Sequence, residues 1–366
     1  MVLSPLTSPV GVSYLLPSLV DDVLIDAPNL TANFLAFDVI GEYAFGVPFG
    51  FLASGSDGYN LINTVDTRGE VLNTIGHLPR WIRPYMKYFR IDPFFYNGLR
   101  STANLEAIGR AAFGKRKAET SSAQRKDLMS FLLNAQDPDN GGPLPDEEVI
   151  AEAISFIVGG SDTTSSTMTN FMDFISRDQE IQSQIFAELL EAFPGPLGPG
   201  WVASEEVAGK LPLLNASIKE VMRLRPTSST GLERVVPQGG RDVAGTFLPA
   251  GYLVSVPTVA IHHNHQMFSH AETLNPHRWL GPDASNLTEY FIPFSTGPRA
   301  CVGRNFAWME ILKTLATIFR LFKFERSISG PTETREGFFV KVTECNVMLK
   351  LVVLAFIHIV FRDIKS

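Results

Sequence analysis

The sequence predicts a mainly α-helical protein with small peripheral β-sheets. Three observations carry this. Apolar residues recur at helical spacing over most of the 366-residue chain. Glycine-punctuated, strand-like patterns are confined to two stretches, 234–256 and 338–351. Hydrophobic residues make up 45% of the chain against 19% charged, enough apolar surface for a core and too much for a disordered chain. No internal repeat, low-complexity tract or linker breaks the pattern, so residues 1–366 are read as one domain.

The elements follow in order. Residues 29–46, NLTANFLAFDVIGEYAFG, space Leu30, Phe34, Phe37, Ile40 and Phe45 near helical periodicity, and Gly46 can end the helix. Residues 60–98 are aromatic-rich and broken by Pro79, Pro84 and Pro93. They read as helices with apolar connections, placed over a cavity, over a membrane surface or in ordinary core. KDLMSFLLNAQDPDNGG is a helix ending in a polar turn. A long helix then runs from Pro145 towards Ser176, with Glu147 and Glu148 in its first turn, where acidic groups suit the helix dipole. FPGPLGPG (193–200) is a loop, and LPLLNASIKEVMRLRP is a helix stopped before Pro226. Short strands with glycine turns fill 234–256, a helix is expected over 306–324, and strands over 338–351.

Composition excludes several function classes. A net charge of −7 leaves no global basic field for nucleic acid. Two cysteines cannot build a disulfide framework, which points to a reducing compartment. The first residues lack the basic and apolar regions of a signal peptide. The apolar run at 351–361 is too short to span a bilayer, which takes about 20 residues. It reads as a buried strand or an atypical terminal extension over 351–366. No P-loop, G-x-S-x-G or G-x-G-x-x-G fingerprint is present.

One cysteine stands out. Cys301 lies in FSTGPRACVGRNF, between Gly297 and Gly303, two residues after Arg299 and just ahead of an apolar helix. A helix N-terminus offers free N–H groups and partial positive charge, which favour a thiolate. The glycines allow tight turns and close approach of a flat ligand, and Arg299 could pair with an anionic group on it. By spacing alone, an inert buried cysteine in a turn explains the pattern equally well. Cys345, in VTECNV, sits in an alternating strand pattern with no glycine-rich setting and reads as an ordinary core or surface residue. The run IHHNHQMFSH gathers His262, His263, His265 and His270, but no Cys, Asp or Glu stands at convincing ligand spacing inside it.

The spacing of further motifs decides between the readings. Phe294, Gly297, Arg299, Cys301 and Gly303 resemble the haem-binding loop of the cytochrome P450 family, the haem-thiolate monooxygenases. Four more matches occur in that family's chain order. GGSDTT (159–164) resembles its oxygen-activation segment, EVMR (220–223) its Glu-x-x-Arg motif, GLERVVP (231–237) a strand whose arginine reaches a haem propionate, and NPHRW (275–279) the segment that supplies a second arginine.

The resemblance implies a mainly α cytochrome P450 fold, haem b (iron protoporphyrin IX) as cofactor, and Cys301 as axial ligand of the iron. It places Phe294, Gly297, Gly303, Arg299 and Arg234 around the haem, with Gly159 and Gly160 where the central helix passes it. Asp162 and Thr163 would deliver protons. Glu220, Arg223 and Arg278 would form a buried structural triad. The substrate pocket would be walled near 156–163, by 227–231, and by Phe338 and Phe339. Implied partners are dioxygen, a small organic substrate, and an NADPH-dependent cytochrome P450 reductase, with no nucleic acid. The stretches 296–326 and 335–345 look most like fungal microsomal members near the benzoate para-hydroxylase group, which points to a small aromatic acid. The family's usual N-terminal portion (membrane anchor, first sheet and first helices) has no counterpart here. The expectation is therefore a chain starting after that portion and short of one flank of the haem pocket. The full-length form would sit on the cytoplasmic face of the endoplasmic reticulum membrane. Two alternatives stay open: a peroxide-using or isomerising haem-thiolate enzyme, and a non-catalytic, haem-poor fragment.

Overall fold

A computed structural model describes residues 23–25, 28–89, 91–118, 127–198, 200–327 and 330–352. Its principal helices are α1 (Pro28–Phe45), α2 (Leu61–His77), α3 (Pro93–Ala118), α4 (Leu128–Leu133), α5 (Asp146–Arg177), α6 (Gln179–Ala192), α7 (Pro212–Leu224) and α8 (Arg304–Leu321). Four small antiparallel sheets lie beside them. The strands are β1 (Val23–Ile25), β2 (Arg234–Val235), β3 (Arg241–Val243), β4 (Thr246–Leu248), β5 (Leu253–Val254), β6 (Phe322–Arg326), β7 (Thr334–Glu336), β8 (Val340–Val342) and β9 (Val347–Leu351). They pair as β1-β9-β6, β2-β5, β3-β4 and β7-β8, with Phe324 opposite Leu349 and Arg335 opposite Lys341.

The long helix α5 organises the molecule. Asp146, Glu147 and Glu148 occupy its first turn, at the positive end of the helix dipole. Its C-terminal half is buried nearly all round, yet much of that half is Ser and Thr. Buried hydroxyls must be hydrogen-bonded, and here the helix itself supplies acceptors one turn back. Ser161 Oγ donates to Ile157 O at 2.7 Å, and Thr169 Oγ1 to Ser165 O at 2.9 Å. Small, self-satisfied side chains let neighbouring helices approach closely. At Gly160 a Cβ would stand 2.5 Å from Ile40 Cδ1 on α1, so only glycine permits that crossing.

Two apolar cores flank α5. One joins α1, α2, α3, α4 and the N-terminal half of α5, centred on Phe37, Phe51, Leu105 and Ile157. The other joins the C-terminal half of α5 with α6, α7, α8, β6 and β9, around Phe171, Leu214, Leu315 and Phe319. Phe306, at the start of α8, packs against both and stacks on Tyr43 of α1 with ring centroids 4.2 Å apart. The segment that follows Cys301 is thereby anchored to the rest of the molecule.

Several expectations need correction. The helix expected over 306–324 ends at Leu321, and Phe322 to Phe324 belong to β6. Phe322 and Phe324 are buried and alternate with exposed Lys323, so pairing with β9 overrides the local helical pattern. Pro93 begins α3 rather than breaking a helix, as its missing N–H allows. The histidine run begins at the end of a short helix, Thr258–His262. Cys345 lies between β8 and β9, fully buried. The tail expected to be a strand or extension lies outside the described residues from 353 on, as do residues 1–22.

Candidate active site

The loop before α8 is built by its own backbone. Cys301 N donates to Phe294 O at 2.9 Å, and Ala300 N to Gly297 O at 3.0 Å. Gly297 holds φ +73°, which favours glycine, with nothing within 4 Å of where a Cβ would stand. Phe294 packs against the core and holds the loop's base. The result presents Cys301 outward, exposed and free of any disulfide, while Val302 beside it has no protein cover at all. Arg299 is exposed and has no ion pair among the described residues. Arg234 is exposed too and donates only to the carbonyls of Leu232 and Glu233.

On α5, Gly159 is bare, with nothing within 4 Å of a would-be Cβ. Thr163 is half-buried and its Oγ1 donates to Gly159 O at 2.9 Å. Asp162 is fully buried beside a cavity of about 480 Å³. The cavity is walled by Val158 and Asp162 of α5, by Thr230 and Gly231, and by Phe338 and Phe339, the three walls expected from the sequence. Residues of α2 close its other side. Cys301 is not part of its lining.

Asp162 does not stand alone. Lys341 of β8 brings its ammonium 2.8 Å from Asp162 Oδ1, an ion pair whose alignment falls short of a hydrogen bond. The same ammonium donates to Asp66 on α2. Burial pushes the Asp162 carboxyl up to about 6, against the pull of Lys341, with Asp66 adding to the rise. Burial alone would lower Lys341, but Asp162 and Asp66 together hold it above its ordinary value.

Away from the cavity, Glu220, Arg223 and Arg278 meet. Glu220 accepts from Arg223 Nε at 3.0 Å and Nη2 at 2.8 Å, from Arg278 Nε at 3.0 Å, from Trp279 Nε1 at 2.9 Å, and from Asn275 N at 3.1 Å. Arg223 Nη1 also donates to the carbonyls of His262 and Ala271, both at 2.7 Å. His262 is buried; its Nε2 accepts from Ile292 N at 3.0 Å, and burial lowers its imidazole to about 4.

A sequence profile described as Cytochrome P450 matches residues 25–349. The chain belongs to the cytochrome P450 family. Among curated relatives, the benzoate 4-monooxygenase bphA of Aspergillus niger is 38% identical over 341 residues, covering 87% of this chain and 64% of its own length. The cytochrome P450 monooxygenase penB of Penicillium thymicola is 31% identical over 317 residues, covering 84% of this chain and 70% of its own. A crystal structure of the cytochrome P450DA heme domain superposes with a TM-score of 0.77 over 95% of this chain and 72% of that one; at 18% identity the likeness is one of fold.

Membership in the cytochrome P450 family implies a haem cofactor, and the donor set here fits one. Among the described residues an exposed thiol without a partner leads a helix N-terminus, two exposed guanidinium groups have no carboxylate partner, and the face of α5 at Gly159 is bare. Gly160 is occupied differently, since the space a side chain would take there is filled by Ile40.

Sequence reading missed Lys341, Asp66 and Arg68, which line the cavity with Asp162. A signal for Lys341 existed: in FFVKV, buried Val340 and Val342 alternate with Phe339 and Lys341, both of which line the cavity. It also missed a hub around buried Asp173, which accepts from Arg225 Nη1 at 3.1 Å, from Thr332 Oγ1 at 2.5 Å, and from Arg177 and Arg326. Cys345 lies near this hub; burial, then the Asp173 charge, push its thiol up to about 12. Among the described residues no helix is long and apolar enough to cross a membrane.

Proposed function

We propose that this chain carries the catalytic machinery of a haem-thiolate monooxygenase acting on a small aromatic acid, with electrons from a separate NADPH-dependent reductase. The observation that carries the reaction type is the exposed, unpartnered Cys301 thiol on a glycine-built loop ahead of α8. The substrate class is supported by the 38% identity to a benzoate 4-monooxygenase and by a cavity whose walls mix apolar side chains with guanidinium groups.

Cys301 would hold the iron of haem b, and Arg299 and Arg234 would take its propionates. When bound, haem would supply dioxygen activation, which a thiolate ligand favours by pushing electron density towards iron. The remaining work falls to protein groups. Asp162, raised to about 6, exchanges a proton near neutral pH, as a general acid must. Lys341 keeps its ionised form tolerable in a buried site. Thr163 Oγ1 can leave the Gly159 carbonyl and turn its hydroxyl towards a water. Phe338, Phe339 and Val158 exclude bulk solvent from the reacting substrate.

A surface on the α2–α3 connection supports placement on a membrane, such as the cytoplasmic face of the endoplasmic reticulum. Trp81 is 73% exposed, Tyr85 65%, Tyr88 70% and Ile91 93%, with Lys87 among them. Contiguous exposed aromatics beside basic residues suit a lipid interface.

The test is the reduced, CO-bound absorption spectrum. Cys301→Ser should abolish the thiolate signature while Cys345→Ser keeps it. Benzoate should then be hydroxylated with reductase and NADPH. A thiolate spectrum that survives in the Cys301 variant sinks the assignment. Turnover with peroxide but never with reductase points to the peroxide-using alternative.

A further inference from the structure

We propose that Arg68 is the residue that receives the substrate's carboxylate, a step that rests on the aromatic-acid reading above and gives it a specificity determinant. Arg68 sits on α2 and lines the cavity that also holds Asp162. Among the described residues it makes no hydrogen bond and no ion pair, although it is only partly exposed.

The other cations on the lining are already engaged. Lys341 is held between Asp162 and Asp66, Arg335 pairs with Glu70, and Arg83 Nε donates to Leu78 O at 2.8 Å. Of the lining carboxylates, Asp66, Asp162 and Glu70 are consumed in those pairs. Glu233 is exposed and has no ion pair among the described residues, with Arg68 or any other cation. Arg68 is thus a guanidinium facing a largely apolar space without a counter-charge.

That arrangement has an energetic signature. Burial lowers the Arg68 pKa, and no neighbouring carboxylate offsets it. A partly desolvated guanidinium stays unfavourable until an anion reaches it. A planar carboxylate matches its fork of donors with two parallel hydrogen bonds, which an amide or alcohol of the same shape cannot do. The rest of the wall suits an aromatic ring, since Val65, Leu72, Val158, Phe338 and Phe339 are apolar. About 480 Å³ falls within the usual range for a small-molecule site. An anionic group at Arg68 and a ring against Val158 would bring the substrate alongside Asp162.

The experiment is calorimetric titration of the haem-loaded full chain with benzoate and with benzamide, so the readout is binding rather than turnover. The CO spectrum and melting temperature serve as checks on folding. The wild-type chain should bind benzoate more tightly than benzamide. Arg68→Gln should lose about 10- to 100-fold in benzoate affinity, as expected for a charge-assisted pair, with benzamide within about twofold. Arg68→Lys, which keeps charge without the fork, should fall between. If the preference for benzoate survives in a folded Arg68→Gln variant, Arg68 is not the anchor, while the aromatic-acid reading stands. If the wild-type chain shows no preference for benzoate, the aromatic-acid reading fails and the Arg68 assignment fails with it.

Discussion

Two buried charge clusters in this molecule each set a carboxylate against basic side chains, and they are satisfied to different degrees. Glu220 is surrounded by donors from Arg223, Arg278, Trp279 and Asn275, and Arg223 spends its remaining donors on backbone carbonyls. Every group there has a fixed partner, and Glu220 and Arg223 are inaccessible to solvent. Asp162 has one ammonium, shared with Asp66, and a cavity beside it. A saturated cluster pins α7 to the segment 262–279. An under-coordinated one leaves a carboxyl near 6, poised to exchange a proton. Both carboxylates are buried, so what separates the two clusters is the number of donors around each.

The largest effect should come from the saturated cluster. Glu220→Ala leaves Arg223 buried with its main partner gone and should cost about 3–5 kcal/mol in denaturant unfolding. Lys341→Gln should cost less, about 1–2 kcal/mol, because Asp162 can take up a proton rather than stay a buried unpaired charge. If the two losses are equal, the contrast between the clusters collapses. The Lys341 variant should instead change function. With the ammonium gone, the Asp162 carboxyl rises further, so the alkaline limb for coupling NADPH use to product, where the required proton is lost, should move upward from about 6.

Asp162→Asn sharpens the same point through linkage. The folded-state value near 6 lies above the ordinary 3.8, so folded chains retain a proton that unfolded chains release. Stability from this group is therefore full below 3.8 and is lost as pH rises through about 6. The asparagine variant should lack that component in melts across this window, and its kcat should fall more than its KM rises.

Glu310 on α8 gives the smallest effect and a third case. Among the described residues both its carboxylate oxygens are buried without a hydrogen-bond partner, and burial holds the group well above the ordinary carboxylate range. Glu310→Gln should change stability by under about 1 kcal/mol at low pH, where both states carry the proton. The wild-type chain should lose stability as pH rises past the ordinary carboxylate range, and the variant should show a flatter profile. Identical pH profiles for the two would mean that Glu310 is ionised and paired.

The parts legible in the sequence were those where chemistry is local. The glycines around Cys301 and the acidic first turn of α5 declare themselves within a few residues, because turn geometry and helix dipoles act at that range. Glu220 and Arg223 stand three apart on one helix and meet as that spacing implies. Less legible was whatever depends on a distant partner. The helix pattern over 306–324 gave way at Phe322 because β9 offered pairing that the local stretch could not announce. Gly160 looked like a place for a ligand to approach, but Ile40 fills that space.

Residue types and their order suffice for the helical architecture and the thiol loop, since periodicity, capping and turn preference are properties of short segments; the family is legible through the resemblance of five motifs in chain order. Tertiary packing alone decides what those segments confront. Lys341 and Asp66 are separated by 275 positions, and only the packing of β8 against both α2 and α5 places one ammonium between two carboxylates. Arg68 is an ordinary helical arginine in the sequence, and it becomes an unpaired charge on a cavity wall because every lining carboxylate but Glu233 is already paired. Desolvation and charge pairing are set by three-dimensional neighbours, so the environment of Asp162 and the candidate substrate anchor appear only once the chain has folded.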